Sequence, residues 1–523
     1  MLRGILTVGG WTMASRVLGF ARDILIAALL GAGPVADAFF VANRLPNLFR
    51  RLFGEGAFNA AFVPAFSGLL SSEGHDAAQR FAEQAAAVMA FWLVGLTIAA
   101  EIFMPQLMAA LAPGFAAIPE KFQLAVTLSR IAFPYMPLIC LTALLSGVLN
   151  GLDRFAAAAA APLLYNITSI GFMIGLLGLV PTTGHALAYG VSVSGVFQLA
   201  LVAWAVRRAG MRLHLPRPRL TPQMRTLLRR MAPGLLGAGV TQLNLSVDVI
   251  IGSLLPSGTV AVLYYADRIN QLPLGTIGAA VGTALLPTLS RQVYGPNPRE
   301  AIGTLNRAIE YALVLTLPAA VALVVTCVPI ISVLFGRGAF DPAHVLKSAQ
   351  ALACYAVGLP AFVMVKVFIP AFFARGDTSM PVKIGMAAVG LNLALNVAFM
   401  EPLQHLGPPL ASSVAAWANI GALTWVLHRR GHFARDALLS RRVPRMLAAS
   451  AAMGLVLWGM RGTMYAALDT GGGNGLRWLG LAVLVGGGLA AYGAAGQALG
   501  AFDVREIIGR LARRRRKPAA VQG

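Results

Sequence analysis

Arginines at places where an apolar chain should carry none are the residues best able to do chemistry in this sequence. Arg16 and Arg22 fall within the apolar N-terminal stretch, with small Gly19 and aromatic Phe20 between them. A second apolar stretch adds Asp37, Arg44, Arg50, Arg51 and Glu55, and a later one adds Asp267 and Arg268. At membrane depth an arginine costs at least ~2.5 kcal/mol, so it is expected to face protein, water or a functional cavity. Arg16 and Arg22, six apart, are read as sharing one broad face of the first helix. Cations exceed anions in this set, and guanidinium forks suit phosphate oxygens, so the expected chemistry is capture of a dianionic or polyanionic group. Arg16, Arg22 and Arg268 lead that reading, with Asp37 and Asp267 as supporting charges. For Arg50 and Arg51 a cavity role stands level with snorkelling to an interface, and Asp23 offers Arg22 an ion pair.

A second constellation is oxygen-rich. Asn244 lies one turn before Asp248, and Asn392 and Asn396 form another i, i+4 pair. Hard oxygen ligands of this kind could hold a sodium ion or relay a proton, whereas asparagine pairs also simply join helices in membranes. Lys366, Glu101 and Arg130 are read as each having a lone structural partner. Motifs for bond-making chemistry are missing: the chain has no P-loop, HExxH or GxSxG. The histidines fall in loops or at span ends, and Cys140, Cys327 and Cys354 lack metal-ligand spacing. Asn166, in an NIT triplet, is read as a packing residue. A transporter without a cofactor, coupled if at all to Na+ or H+, is therefore expected in preference to an enzyme.

Such charges need elements that carry them across lipid. The 523 residues are 57% hydrophobic and 12% charged, with a mean hydropathy of +0.72, more apolar surface than a water-soluble fold could hide. In lipid every backbone group must be satisfied internally, and long apolar runs without alternation point to helices rather than a barrel. Breaks at Pro, Gly and charge give about fourteen spans: 5–30, 36–70, 84–112, 123–150, 156–180, 185–206, 231–256, 260–290, 306–335, 346–374, 380–401, 408–428, 444–463 and 476–500. The second and eighth are too long to be straight, and Pro46 and Pro273 supply kinks. The net charge of +22 resides in segments between spans. It is read as the positive-inside signal, not as a nucleic-acid footprint. Arg207 to Arg230, Arg429 to Arg445 and the tail Arg513–Lys517 all then lie in the cytoplasm with both termini. The N-terminal stretch lacks a cleavage pattern and is expected to stay as the first span.

The halves echo each other. Ala42-Asn43-Arg44 matches Ala266-Asp267-Arg268, Phe40 matches Tyr264, and Val63-Pro64 with Ser67 matches Leu286-Pro287 with Ser290, at an offset of 223 to 224 that also brings Asp153 onto Asp377. Six spans per copy is even, so the copies share one orientation and face each other across a cleft. The expected organisation is an N-terminal lobe at 1–206, a basic linker at 207–230, a C-terminal lobe at 231–428, two extra helices at 429–500 and a basic tail at 501–523.

SRVLGFARD at 15–23, ADAFFVANRLPNLFRRLFGEGAFNAAFVP at 36–64, YYADRINQLPLGTIGAAVGTALLPTLS at 264–290 and TSMPVKI at 378–384 resemble the MurJ (MviN) lipid II flippases. These belong to the multidrug/oligosaccharidyl-lipid/polysaccharide exporter superfamily, and the resemblance runs through essentially the whole chain. It implies fourteen helices, two six-helix lobes around a V-shaped cavity, and two extra helices forming a groove for a lipid tail. It implies transfer of undecaprenyl-pyrophosphate-linked disaccharide pentapeptide from the cytoplasmic to the periplasmic leaflet of the bacterial inner membrane. Arg16, Arg22, Arg50 and Arg268 then become required substrate contacts, with Asp37 as the associated acid and Arg51, Glu55 and Asp267 beside them. Sodium is implied near Asp248, membrane potential as the energy source, and other cell-wall synthesis proteins as further partners. Gln271 stands where some relatives carry Glu, which removes a charge at that place. Alternatives are a flippase for another polyprenyl-pyrophosphate glycan and a cation-coupled exporter of the same superfamily; the latter's organic cations would call for acidic cleft helices. A membrane glycosyltransferase would need a larger extramembrane loop, and a scaffold would leave the arginines unexplained.

Overall fold

The computed structural model describes residues 2–50, 57–297, 299–469 and 474–502. Every regular element among them is a helix: α1 Leu2–Leu30, α2 Pro34–Ala42, α3 Arg44–Phe49, α4 Ala57–Ser72, α5 His75–Ile102, α6 Met104–Leu111, α7 Pro119–Ala132, α8 Tyr135–Gly151, α9 Ala156–Gly175, α10 Thr183–Arg208, α11 Pro222–Leu254, α12 Thr259–Val293, α13 Arg299–Val325, α14 Cys327–Phe335, α15 Pro342–Phe373, α16 Ser379–Leu403, α17 Gly407–Arg429, α18 Ala437–Asp469 and α19 Asn474–Ala498. Local chemistry sets several boundaries. Thr221 caps α11 by accepting from Met224 N at 3.3 Å, with Pro222 at the first helical position. Arg207 and Arg208 close α10 at the negative end of its dipole.

Nine helical stretches among the described residues are long and apolar enough to cross a membrane, and one of them, Ser379–Arg429, is of double length and holds α16 and α17. The expected spans at 5–30, 36–70, 231–256 and 260–290 are not among the nine. Span two, expected to bend, is divided into α2, α3 and α4, with a turn at Asn43. Helix α12, by contrast, stays helical through Pro273 and Pro287.

Packing divides the chain into two compact units: residues 1–261 with 337–341, and residues 262–336 with 342–523. In the first, Phe58, Phe62, Phe66 and Phe81 stack at centroid distances of 5.1 to 5.7 Å. Met224, Leu227 and Met231 of α11 enter the same core, so α11 packs with the helices before it. The linker between α10 and α11 is tied to α5: Gln79 Nε2 donates to Arg212 O at 2.9 Å, His214 N to Glu83 Oε1 at 3.1 Å and Arg219 N to Gln84 Oε1 at 3.2 Å. Its arginines stay exposed.

In the second unit the two extra helices are docked rather than loose. Met453 and Leu457 of α18 and Leu484 and Tyr492 of α19 bury against Val333 of α14, and Tyr492 Oη donates to Val314 O at 2.9 Å. Glu310 of α13, 2% exposed, accepts from Arg307 and from Arg442 of α18, while Arg307 also pairs with Asp436. Two guanidinium groups on one buried carboxylate satisfy a charge that would otherwise be costly inside the fold.

Candidate functional site: buried charge on the first and later helices

The arginines of α1 do not share a face. Six residues turn a helix so that the two side chains stand about 120° apart, and accordingly Arg16 is exposed while Arg22 is buried at 9%. Arg22 pairs with its neighbour Asp23, Nη2 to Oδ1 at 2.7 Å and Nε to Oδ1 at 3.2 Å. Its guanidinium carbon also lies 5.0 Å from the centroid of the Tyr165 ring of α9. Asn166, next to that tyrosine, donates to Ser15 O at 3.0 Å, so it joins α9 to α1 as a packing residue.

Arg50, half-buried, donates from Nε to Asn47 Oδ1 at 3.3 Å. It and Arg22 both lie within electrostatic reach of the buried Tyr135, whose hydroxyl bonds Gln198 Oε1 at 3.3 Å. Two cations of the first unit thus share one tyrosine-lined neighbourhood. Arg51, Glu55 and the side chain of Asn244 lie outside the described residues.

Asp37 is enclosed, 1% exposed in the first turn of α2. Its carboxylate accepts from Lys121 Nζ at 2.6 Å, Gly258 N at 2.6 Å and Ala261 N at 2.9 Å. The two amides are free N–H groups at the start of α12, so a carboxylate from another helix serves as its N-cap and meets the positive end of its dipole. Lys121 of α7, 5% exposed, also donates to Ser257 Oγ at 3.0 Å and lies 4.1 Å from the Phe115 centroid. Sequence reading missed Lys121, because a single lysine in PEKF at a helix start carries no signal of a partner 84 residues away.

Close backbone approach surrounds this latch. Gly258, at φ +94°, sits against Ala32 O, and Gly338, at φ +59°, against Ala28 O; a Cβ at either would overlap those carbonyls. Ala339 N donates to Ala28 O at 2.8 Å. The segment 337–341 therefore adds a strap over the end of α1, opposite the arginine-rich linker in the expected topology.

On the second unit, Asp267 and Arg268 are half-buried on α12, and Gln271 Nε2 donates to Asp267 Oδ1 at 3.3 Å. The neutral residue noted in the sequence thus engages the neighbouring acid one turn away. Lys366 of α15, expected to have a structural partner, is exposed and has neither an acidic partner nor a hydrogen bond among the described residues. Its side chain lies against Gly278 of α12. An unpaired lysine within an apolar helix meets the condition that singled out the arginines. Arg130 does find Glu101, donating to its carbonyl at 3.3 Å.

Of the oxygen-rich residues, Asp248 is half-buried on α11 in the first unit, whereas Asn392 and Asn396 are buried on α16 in the second. Asn392 Nδ2 donates to Ser412 Oγ at 3.0 Å, and Asn396 Nδ2 donates to Asn392 O at 3.0 Å, binding α16 to α17. No group of three or more His, Cys, Asp or Glu that could hold a metal occurs among the described residues.

A family model described as lipid II flippase MurJ matches residues 26–472. The chain is 43% identical over 528 residues to a protein of Rhizobium tropici named probable lipid II flippase MurJ, covering 99% of this chain and 98% of that one. It is 34% identical over 463 residues to the lipid II flippase MurJ of Burkholderia cenocepacia, covering 88% and 90%. Among solved structures, lipid II flippase MurJ in an inward closed conformation aligns with TM-score 0.77 at 23% identity over 96% of this chain and 99% of that one. An inward-facing multidrug resistance MATE family transporter aligns with TM-score 0.64 at 18% identity over 82% and 98%.

Proposed function

The chain belongs to the MurJ family of lipid II flippases, and from that premise we propose that it carries lipid II from the cytoplasmic to the periplasmic leaflet of a bacterial inner membrane by alternating access. It is a multi-pass membrane transporter and not an enzyme. Both termini and the arginine-rich linkers face the cytoplasm, where anionic headgroups favour them. The observation that supports the binding step is that, among the described residues, the apolar helices that carry Arg16, Arg22, Arg268 and Lys366 include cations without an acidic partner. Arg16 and Lys366 have no acidic partner among the described residues, while Arg22 lies over the Tyr165 ring at 5.0 Å. The candidate ligands for the pyrophosphate are Arg16, Arg22 and Arg50 of the first unit and, each tested by itself, Arg268 and Lys366 of the second. The undecaprenyl chain stays in lipid beside α18 and α19.

Rocking of the two halves then exposes the headgroup on the far side. Membrane potential supplies the drive, with Asp248 and Asn244 as ligands for a coupling Na+ or H+.

The decisive experiment is a leaflet-specific assay of labelled lipid II in cells depleted of the protein and complemented with Arg16→Ala. Arg16 is exposed, so its removal leaves folding intact. Accumulation of lipid II on the cytoplasmic face is expected. Normal translocation with Arg16→Ala and with Arg268→Ala would overturn the substrate-binding reading.

A further inference from the structure

Helix α17 presents one stripe that stays largely uncovered among the described residues. Trp417, Gly421, Thr424, Trp425 and His428 follow at helical spacing and line a pocket of about 740 Å³. Trp417 is 45% and Trp425 55% exposed. Between them Gly421 leaves a notch, since a Cβ there would meet nothing within 4 Å. At the arginine-rich end of the helix the chain reverses at Gly431 and comes back beneath the stripe, held by His428 Nδ1 to Phe433 O at 3.1 Å. Phe433 is anchored in turn by Phe368, at a centroid distance of 5.4 Å. The stripe and the returning segment make a slot with an apolar wall and one cationic end.

Only some of the charges at that end are paired inside the protein. Arg430 pairs with Asp377 at 2.6 Å and Arg442 with Glu310. Arg429 and Arg435 have no acidic partner among the described residues. Arg429 lies over the Trp425 ring at 4.4 Å, and Arg435 lines the slot itself. Two exposed tryptophans, open space at Gly421 between them, and two guanidinium groups without an acidic partner among the described residues together match one ligand class. It has a phosphate at one end and an extended hydrocarbon at the other.

We propose that this slot is a binding site for one resident molecule of anionic diacyl phospholipid. Its phosphate rests on Arg429 and Arg435, and one acyl chain runs along α17 past Trp425, through the Gly421 notch, to Trp417. The site is separate from the residues assigned to lipid II and holds a structural lipid rather than cargo.

The test uses the full chain with Trp11, Trp92, Trp204, Trp458 and Trp478 replaced by Phe, so that only Trp417 and Trp425 report. It is reconstituted in phosphatidylcholine nanodiscs containing phosphatidylglycerol brominated on its acyl chains, and in a parallel series with brominated phosphatidylcholine. Half-maximal quenching is expected at a phosphatidylglycerol fraction on the order of ten-fold below that for phosphatidylcholine. Arg429→Gln with Arg435→Gln removes the difference, and Gly421→Leu, which fills the notch without strain, reduces quenching by both lipids. Inorganic phosphate leaves the quenching unchanged. Native mass spectrometry of the chain with all its tryptophans checks the same point, the double variant retaining one phosphatidylglycerol fewer. Equal quenching by the two lipids, or a preference that survives loss of both arginines, would refute the site. Displacement by undecaprenyl phosphate but not by unlabelled phosphatidylglycerol would give the slot to the substrate's tail and overturn the proposal.

Discussion

Lys121 Nζ stands 2.6 Å from the Asp37 carboxylate, and both side chains are almost wholly buried. Removing one member of such a pair strands the other, at a cost of roughly 3–5 kcal/mol, whereas removing both costs much less. Lys121→Met and Asp37→Asn should each lower the melting temperature of the purified protein, and the double variant should recover much of the loss. A double-mutant cycle by thermal unfolding in detergent measures the coupling, and additive effects would show that the two groups act independently.

The strap makes a separate prediction. Gly338→Ala and Gly258→Ala place a Cβ against a carbonyl at a positive φ, costing on the order of 1–3 kcal/mol where the backbone is over-determined. That cost falls on the packing of Gly258 and of 337–341 against the end of α1, so each variant should lower the melting temperature of the purified protein. A melting temperature equal to the parent's would mean that neither close approach is held tightly.

Arg22 cannot be truncated cleanly, because Asp23, fully buried beside it, would lose its counter-charge. Arg22→Lys keeps the charge and discards the fork. It should preserve expression and thermal stability yet slow lipid II translocation by about ten-fold or more, the share of a bidentate contact. Translocation at the parental rate would assign Arg22 to the Asp23 pair alone.

Glu310 holds two arginines and, through Arg442, the start of α18. Glu310→Gln should destabilise by about 3–5 kcal/mol and expose α18 to limited proteolysis before the rest of the chain. Unchanged proteolysis would locate the docking of α18 entirely in the apolar cluster around Met453 and Leu457.

In the loop before α16, the Arg430 guanidinium donates to Asp377 and, with the Met380 amide, holds its carboxyl below the ordinary 3.8. A carboxyl whose folded value is depressed contributes stability above its unfolded value and loses it as pH falls through the folded one. Asp377→Asn should therefore narrow the gap between melting temperatures at neutral pH and below pH 3.8. The effect is small, since the pair is solvent-screened. An identical acid dependence in the variant would refute the pairing.

The amino-acid sequence alone determined the class of molecule. Apolar runs of bilayer length, basic connecting segments and arginines within the spans are local properties, visible along the chain because lipid penalises each residue by itself. The motif around Arg44 and its echo at Arg268 were legible for the same reason. Tertiary structure decided what each charge does. Asp37 was read as a cavity acid, but it caps a helix beginning 222 residues later in the chain and meets a lysine 84 residues away. Arg22 found its partner next door, while Lys366, given a partner on paper, has none among the described residues. The asparagines of α16 join helices, and the slot on α17 is completed by Phe433, Ala434 and Arg435, which return after Gly431. Pairing of buried charge depends on which helices pack side by side, and periodicity in one helix carries no record of its neighbour's register.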